Sequence, residues 1–197
     1  DPSYLPAGGG FVFTSNRQTT SKLRQAVGPA GGYLALDEYE REQVFNLHTM
    51  DAAGGNITQI SVNQSHDRSP TVRPNGDIMF SRWEHVADRN RFAIFRSKPD
   101  GTDMFVLYGA QSPGNSYLHP RDMDPRGGYP GQLVSTLMPL SGTQEGGSLQ
   151  MIDADAVAAG AARKAWEALV YPWGVATLDQ RDPDFHPYHL APEHYHK

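Results

Sequence analysis

Histidine is concentrated at the end of the chain, where His186, His189, His194 and His196 stand among the last residues. Neutral imidazoles ligate zinc, copper and haem iron, so these four are the metal candidates that the sequence offers. Their spacing is irregular, and His186-Pro187-Tyr188-His189-Leu190 occupies a place where a repeat described below expects an edge strand. Trp83-Glu84-His85 holds an acid/base pair, but neighbouring strand residues point to opposite faces and do not converge on one substrate atom, which favours a loop-capping role. Asp100-Gly101-Thr102-Asp103 has the oxygen-rich look of a calcium loop without the alternating acidic ligands and bidentate Glu, and reads as a turn. Ser116-Tyr117-Leu118-His119-Pro120-Arg121-Asp122 packs Ser, His and Asp into one short segment, whereas hydrolytic triads are assembled from distant segments. The glycine clusters Gly8-Gly9-Gly10, Gly31-Gly32 and Gly146-Gly147 lack the helix start and Lys of a phosphate cradle and read as turns. No catalytic, cofactor-binding or metal residue is assigned beyond the four tail histidines as metal candidates.

Composition narrows the field further. The 197 residues include 20 Gly and 15 Pro, with 38% hydrophobic and 20% charged residues, a profile that suits short strands joined by frequent turns. Cysteine is absent. That excludes disulfides, thiolate metal sites, a cysteine nucleophile and covalent haem attachment within these residues. The formal charge of −5 and the lack of a Lys/Arg run argue against a nucleic-acid partner. No stretch approaches the roughly 20 apolar residues that span a bilayer, so no membrane span is expected. The opening Asp1-Pro2-Ser3-Tyr4 has neither a basic nor an apolar leader region, so any export signal is expected to lie outside these residues.

Elements that would position such side chains are visible as repeats. Pro2-Ser3-Tyr4-Leu5-Pro6-Ala7-Gly8 followed by Phe11-Val12-Phe13-Thr14 lines up with Pro70-Thr71-Val72-Arg73-Pro74-Asn75-Gly76 followed by Ile78-Met79-Phe80-Ser81. A weaker copy starts at Pro120-Arg121-Asp122-Met123 and continues, after an insertion around Gly127-Gly128, through Gly131 to Leu133-Val134-Ser135-Thr136. Each reads as a hairpin, with Gly supplying the positive φ of the turn. A second hairpin follows: Phe45, Leu47, Gly54, Asn56, Ile57 and Ile60 match Phe92, Ile94, Gly101, Asp103, Met104 and Leu107 at constant offset, with apolar residues at period two. Two hairpins make a four-stranded unit of about 40 to 45 residues, the size of a propeller blade.

The fold expected is an all-β, partial β-propeller, one domain over 1–197. Its blade units are 1–61 (with an insertion between Gln18 and Glu42), 67–108 and 117–155, followed by an inserted helix at 156–170 and a partial blade at 182–197. The helix rests on the Ala-rich run Ala156–Val170, with Asp153 or Asp155 as N-cap. Phe11, Phe13, Phe45, Phe80, Phe92 and Phe95 are expected to pack between blades. Ending in mid-blade, the chain is expected to be a fragment with raw sheet edges.

On the turns Pro70-Thr71-Val72-Arg73-Pro74-Asn75-Gly76 and Asp100-Gly101-Thr102-Asp103 the sequence resembles the TolB-like β-propeller family. The run from Arg73-Pro74-Asn75-Gly76 through Ser81-Arg82-Trp83-Glu84, Lys98 to Met104, Leu107-Tyr108-Gly109 and Gly147 to Ile152-Asp153 is more similar still to the propeller domain of hydrazine synthase alpha-subunit-like proteins. The resemblance covers about residues 1–155 and extends to about 182–195. It implies an extracytoplasmic (periplasmic or secreted) propeller beside redox modules, with haem c in a partner or in segments outside this chain. The expected function is therefore a non-catalytic scaffold for other protein subunits, a c-type cytochrome among them, in an electron-transfer assembly. The insertion at 18–42 and the helix at 156–170 are its expected contact elements. The alternatives are the propeller portion of a multihaem hydrazine-synthase-like oxidoreductase, and a propeller that binds a metal or small ligand in its central channel.

Overall fold

A computed structural model describes residues 1–17, 43–86, 89–109, 115–139, 147–153, 165–171 and 174–179, nearly all of them in antiparallel strands and their turns. The first sheet runs β1 (Ser3–Tyr4), β2 (Phe11–Ser15), β3 (Asn46–Met50), β4 (Thr58–Gln59). The second runs β5 (Asp67–Val72), β6 (Ile78–Val86), β7 (Arg89–Ser97), β8 (Phe105–Tyr108). The third runs β9 (Asn115–Asp122), β10 (Gln132–Pro139), β11 (Ser148–Asp153), β12 (Ala165–Tyr171), β13 (Gly174–Asp179). Each strand pairs with the next in sequence, so each sheet is an up-and-down meander, the topology of a propeller blade. The first strands β1, β5 and β9 pack beside one another and form the inner edges. No helix among the described residues is long and apolar enough to cross a membrane.

Period-two alternation gives each central strand two buried faces. On β6, Ile78 and Phe80 join Val12 and Leu47 in a core between the first and second sheets, with Ile60, Phe95 and Met104 packed against it. Met79, between them, turns the other way and joins Ile94, Tyr117, Leu133 and Ile152 in a core between the second and third. A continuous apolar run such as Ile78-Met79-Phe80 is what a strand covered on both faces requires. Phe80 and Phe95 therefore lie between blades as expected. Phe11, Phe13, Phe45 and Phe92 instead make ring contacts with Tyr4, His48, His66 and Trp83.

The two second hairpins share one backbone. Gly54 and Gly101 have φ of 84° and 86°, and Asn56 and Asp103 have φ of 51° and 50°. Asn and Asp are the side chains that tolerate this left-handed region best. In the second turn Asp100 Oδ1 accepts from the Thr102 N–H at 2.9 Å and from its hydroxyl at 2.7 Å, which makes Asp100-Gly101-Thr102-Asp103 a self-satisfied turn.

One expectation is corrected. The segment expected to end a helix at 156–170 forms β12 from Ala165, and the third sheet has five strands where four were expected. Helix propensity is a weak local preference, and the ladder from Ser148↔Leu169 to Ile152↔Ala165, backed by β13, satisfies the same backbone groups in extended form. Residues 156–164, the insertion at 18–42 and the segment 182–197, with His186, His189, His194 and His196, lie outside the described residues.

The paired turns give a direct test of inter-blade fit. A Cβ at Gly101 would lie 2.3 Å from the Ile60 carbonyl oxygen, whereas one at Gly54 meets nothing within 4 Å. In urea melts Gly101→Ala is expected to cost about 3 kcal/mol, from left-handed strain plus overpacking, and Gly54→Ala only about 1 kcal/mol, from strain alone. Equal losses would mean that the second blade's turn does not rest on Ile60.

Candidate functional site

The polar side chains that the sequence makes available are first of all spent on the joint between blades. Asp67, at the start of β5, is fully buried. The Ser61 hydroxyl donates to its Oδ2 at 2.6 Å and Asn63 Nδ2 donates to its Oδ1 at 3.1 Å, while Arg82 Nε stands 3.2 Å away. Asn63 Nδ2 also donates to the Trp83 carbonyl at 3.1 Å, and its backbone N–H donates to Asn46 Oδ1 at 3.0 Å. The Leu47 N–H donates to Ser61 Oγ at 2.9 Å. This connecting segment thus ties β3 of one blade to β5 and β6 of the next. Burial nevertheless dominates over the Arg82 charge and the two hydrogen bonds, and it pushes the Asp67 carboxyl up to about 6.

A second device repeats at both joints. The Phe45 N–H donates to His66 Nδ1 at 3.0 Å, and at the repeat-equivalent place the Phe92 N–H donates to Ser116 Oγ at 3.2 Å. The His66 ring stacks on Trp83, which also stacks on His85 and Phe92 and donates from Nε1 to Asn90 at 2.7 Å. Trp83, Glu84 and His85 accordingly lie inside β6 and not in a capping loop, with Glu84 3.5 Å from Arg91 on the paired strand. Within the second blade Asp77 joins the two hairpins. Burial opposes its ionisation, but Lys98 Nζ at 2.6 Å, Asn75 and Arg96 outweigh that and hold it below the usual carboxylate range.

The inner edges carry a different arrangement. On β5, Ser69 and Pro70 together oppose one residue of β6, since Arg68 pairs with Ser81 and Thr71 with Met79. On β9, His119 and Pro120 do the same against β10 between Leu118↔Thr136 and Arg121↔Val134. Both are β-bulges, which re-aim side chains, and both place a non-glycine residue at positive φ, 54° for Ser69 and 53° for His119. Asp1 precedes Pro2 at the matching position of the first repeat. Asp1, Ser69 and His119 all line one cavity of about 270 Å³, together with Thr14, Phe45 and Arg68. The cavity brings together a guanidinium, an imidazole, a carboxylate, two hydroxyls and an aromatic face.

Ser116, His119 and Asp122 are thereby sent to separate tasks. Ser116 caps Phe92, His119 lines the cavity, and Asp122 receives Arg73 Nη2 at 2.9 Å across the second joint. Arg68 and Phe45 carry no motif of their own. The signal that finds the cavity is the recurrence of an X-Pro step at Asp1, Ser69 and His119. No group of three or more His, Asp or Glu able to hold a metal ion occurs among the described residues.

No family model matches the sequence, and no curated protein matches it. Among solved structures it is similar to a chain provisionally assigned as TolB from Agrobacterium tumefaciens, at 15% identity and a TM-score of 0.49. The likeness covers 90% of this chain and 48% of that one, so the chain spans about half the length of that structure.

The buried carboxyl makes stability depend on pH in a stated direction. Asp67 binds a proton below about 6 when folded but only near its ordinary value of 3.8 when unfolded, so stability falls as pH rises between these values. Relative to Asp67→Asn, which does not titrate, the unfolding free energy of the native chain is expected to rise by about 2 kcal/mol from pH 7 to 4.5 in urea melts. Parallel profiles for the two proteins would show that Asp67 is not sealed in the joint.

Proposed function

We propose that this chain is a non-catalytic propeller scaffold that docks other protein subunits in an extracytoplasmic, electron-transfer-associated assembly. The observation that carries the reading is where the reactive side chains are spent. Asp67, His66, Ser116 and Asp77 are buried and hold strands or blades together. Large apolar side chains meanwhile stand outward, Tyr4 at 78%, Val62 at 71% and Phe105 at 56% exposure. Rigid blades with exposed loops and exposed apolar side chains offer contact surface for other proteins. The extracytoplasmic and redox setting is supported by the sequence resemblance to hydrazine synthase alpha-subunit-like proteins, a family joined to c-type haem domains.

Isolation of the native assembly under non-denaturing conditions tests the reading, with an intact mass and a visible spectrum of each component. The expected result is a colourless polypeptide containing this chain, co-eluting with a separate haem-bearing subunit. A Soret band on the same polypeptide would replace the scaffold with the propeller portion of a multihaem oxidoreductase. A colourless, monodisperse monomer without a partner would overturn both.

A further inference from the structure

The cavity at the inner edges holds charges that the blade joints leave unused. Arg68 is exposed on β5, its guanidinium carbon 5.9 Å from the centre of the Phe45 ring, and among the described residues no carboxylate pairs with it. His119 is likewise exposed, on the bulge of the next blade. Both side chains line the same space, although they come from different sheets. We propose that this cavity binds a small monocarboxylate, gripped by the Arg68 guanidinium and an imidazole N–H of His119.

Several features select that ligand class. A guanidinium presents a planar fork that matches a carboxylate with two parallel hydrogen bonds, and the Phe45 face already limits its freedom. Asp1 is the single carboxylate on the wall, which leaves the Arg68 guanidinium and the His119 imidazole facing the space as partners for an acid. The hydroxyls of Thr14 and Ser69 add hydrogen-bonding capacity, and the Phe45 ring offers an apolar wall to the acid's tail. A volume of about 270 Å³ suits a short acid better than a drug-sized one. The bulges hold Arg68 beside Ser69 and present His119 from a left-handed backbone, an arrangement that recurs next to binding sites. The inference is independent of the scaffold reading, since a docking propeller can carry a ligand site or lack one.

The experiment titrates the isotope-labelled chain with sodium propionate at fixed ionic strength and follows the His119 imidazole resonances. Sodium phosphate and sodium chloride serve as comparison titrants. Propionate is expected to shift them saturably. Arg68→Ala is expected to weaken that binding roughly tenfold or more, the loss typical of a charged hydrogen-bonding partner. His119→Asn keeps a residue that tolerates the left-handed backbone while removing the imidazole. It is expected to lose affinity too, read from the Ser69 and Thr14 amides. Arg126→Ala removes a distant exposed cation, 90% exposed at the side chain, and should leave affinity unchanged. Circular dichroism verifies that each variant is folded, which exposed positions permit. No saturation up to roughly 50 mM, or equal affinity in folded Arg68→Ala, overturns the site. Tighter saturation by phosphate overturns the monocarboxylate class.

Discussion

Enclosing the Asp67 carboxyl between two blades is the constraint from which the rest of the first joint follows. An ionisable group taken out of water must be given hydrogen-bond partners or it destabilises the fold by several kcal/mol. Those partners come from two places in the chain: Ser61 and Asn63 in the connecting segment and Arg82 on β6. To reach Asp67 the connecting segment must lie flat against β3, which it does through Leu47 and Asn46. The position of the second blade relative to the first is thus set by this polar network, and the apolar core of Val12, Leu47, Ile78 and Phe80 fills in behind it. Hydrophobic burial supplies most of the driving force but little direction. The carboxyl supplies the direction.

The two joints are alike in backbone and unlike in side chains. At each, the N–H of an aromatic residue, Phe45 just ahead of β3 or Phe92 within β7, needs an acceptor and finds it in a side chain beyond its own hairpin. His66 fills the role at one joint and Ser116 at the other. An imidazole is large enough to stack on Trp83 as well; a serine is not, and there Tyr117 meets Tyr108 edge to face at 5.0 Å. What the repeat preserves is therefore a geometric demand for an acceptor at that place, and different residues meet it.

Much of the fold was legible because blade hairpins are local. Asn75-Gly76 and Pro99-Asp100-Gly101 mark turns by their chemistry, and the alternation from Phe45 to Ile60 and from Phe92 to Leu107 marks the strands between them. The Ala-rich run before Val170 misled for the opposite reason: its local preference is helical, and the partner strand that overrides it sits in β11 and β13. Trp83-Glu84-His85 looked like the end of a strand because polar residues had begun, yet β6 continues to Val86 beside β7, where Glu84 and Arg91 face each other. The roles of Asp67, Ser61 and Arg82 were not legible at all. A buried hydrogen-bond network leaves no periodic trace when its members come from a connection and two strands.

The inner edges show how one constraint yields both structure and a candidate site. Proline has no N–H to donate, so within a sheet it is confined to edge strands, strand ends and bulges. The inner strands β5 and β9 each carry one, at Pro70 and Pro120, and each bulge places the preceding residue in left-handed backbone. Because the blades repeat, these displaced residues fall at equivalent heights on neighbouring inner edges. Side chains that a regular strand would have turned into the sheet are gathered at one shared cavity. Ser69 and His119 differ in chemistry although the same proline step and bulge place both, so the backbone device does not itself fix the chemistry of that cavity. A fold built this way separates the residues that hold the blades together, such as Asp67 and His66, from Ser69 and His119, which line the cavity where the ladder is broken.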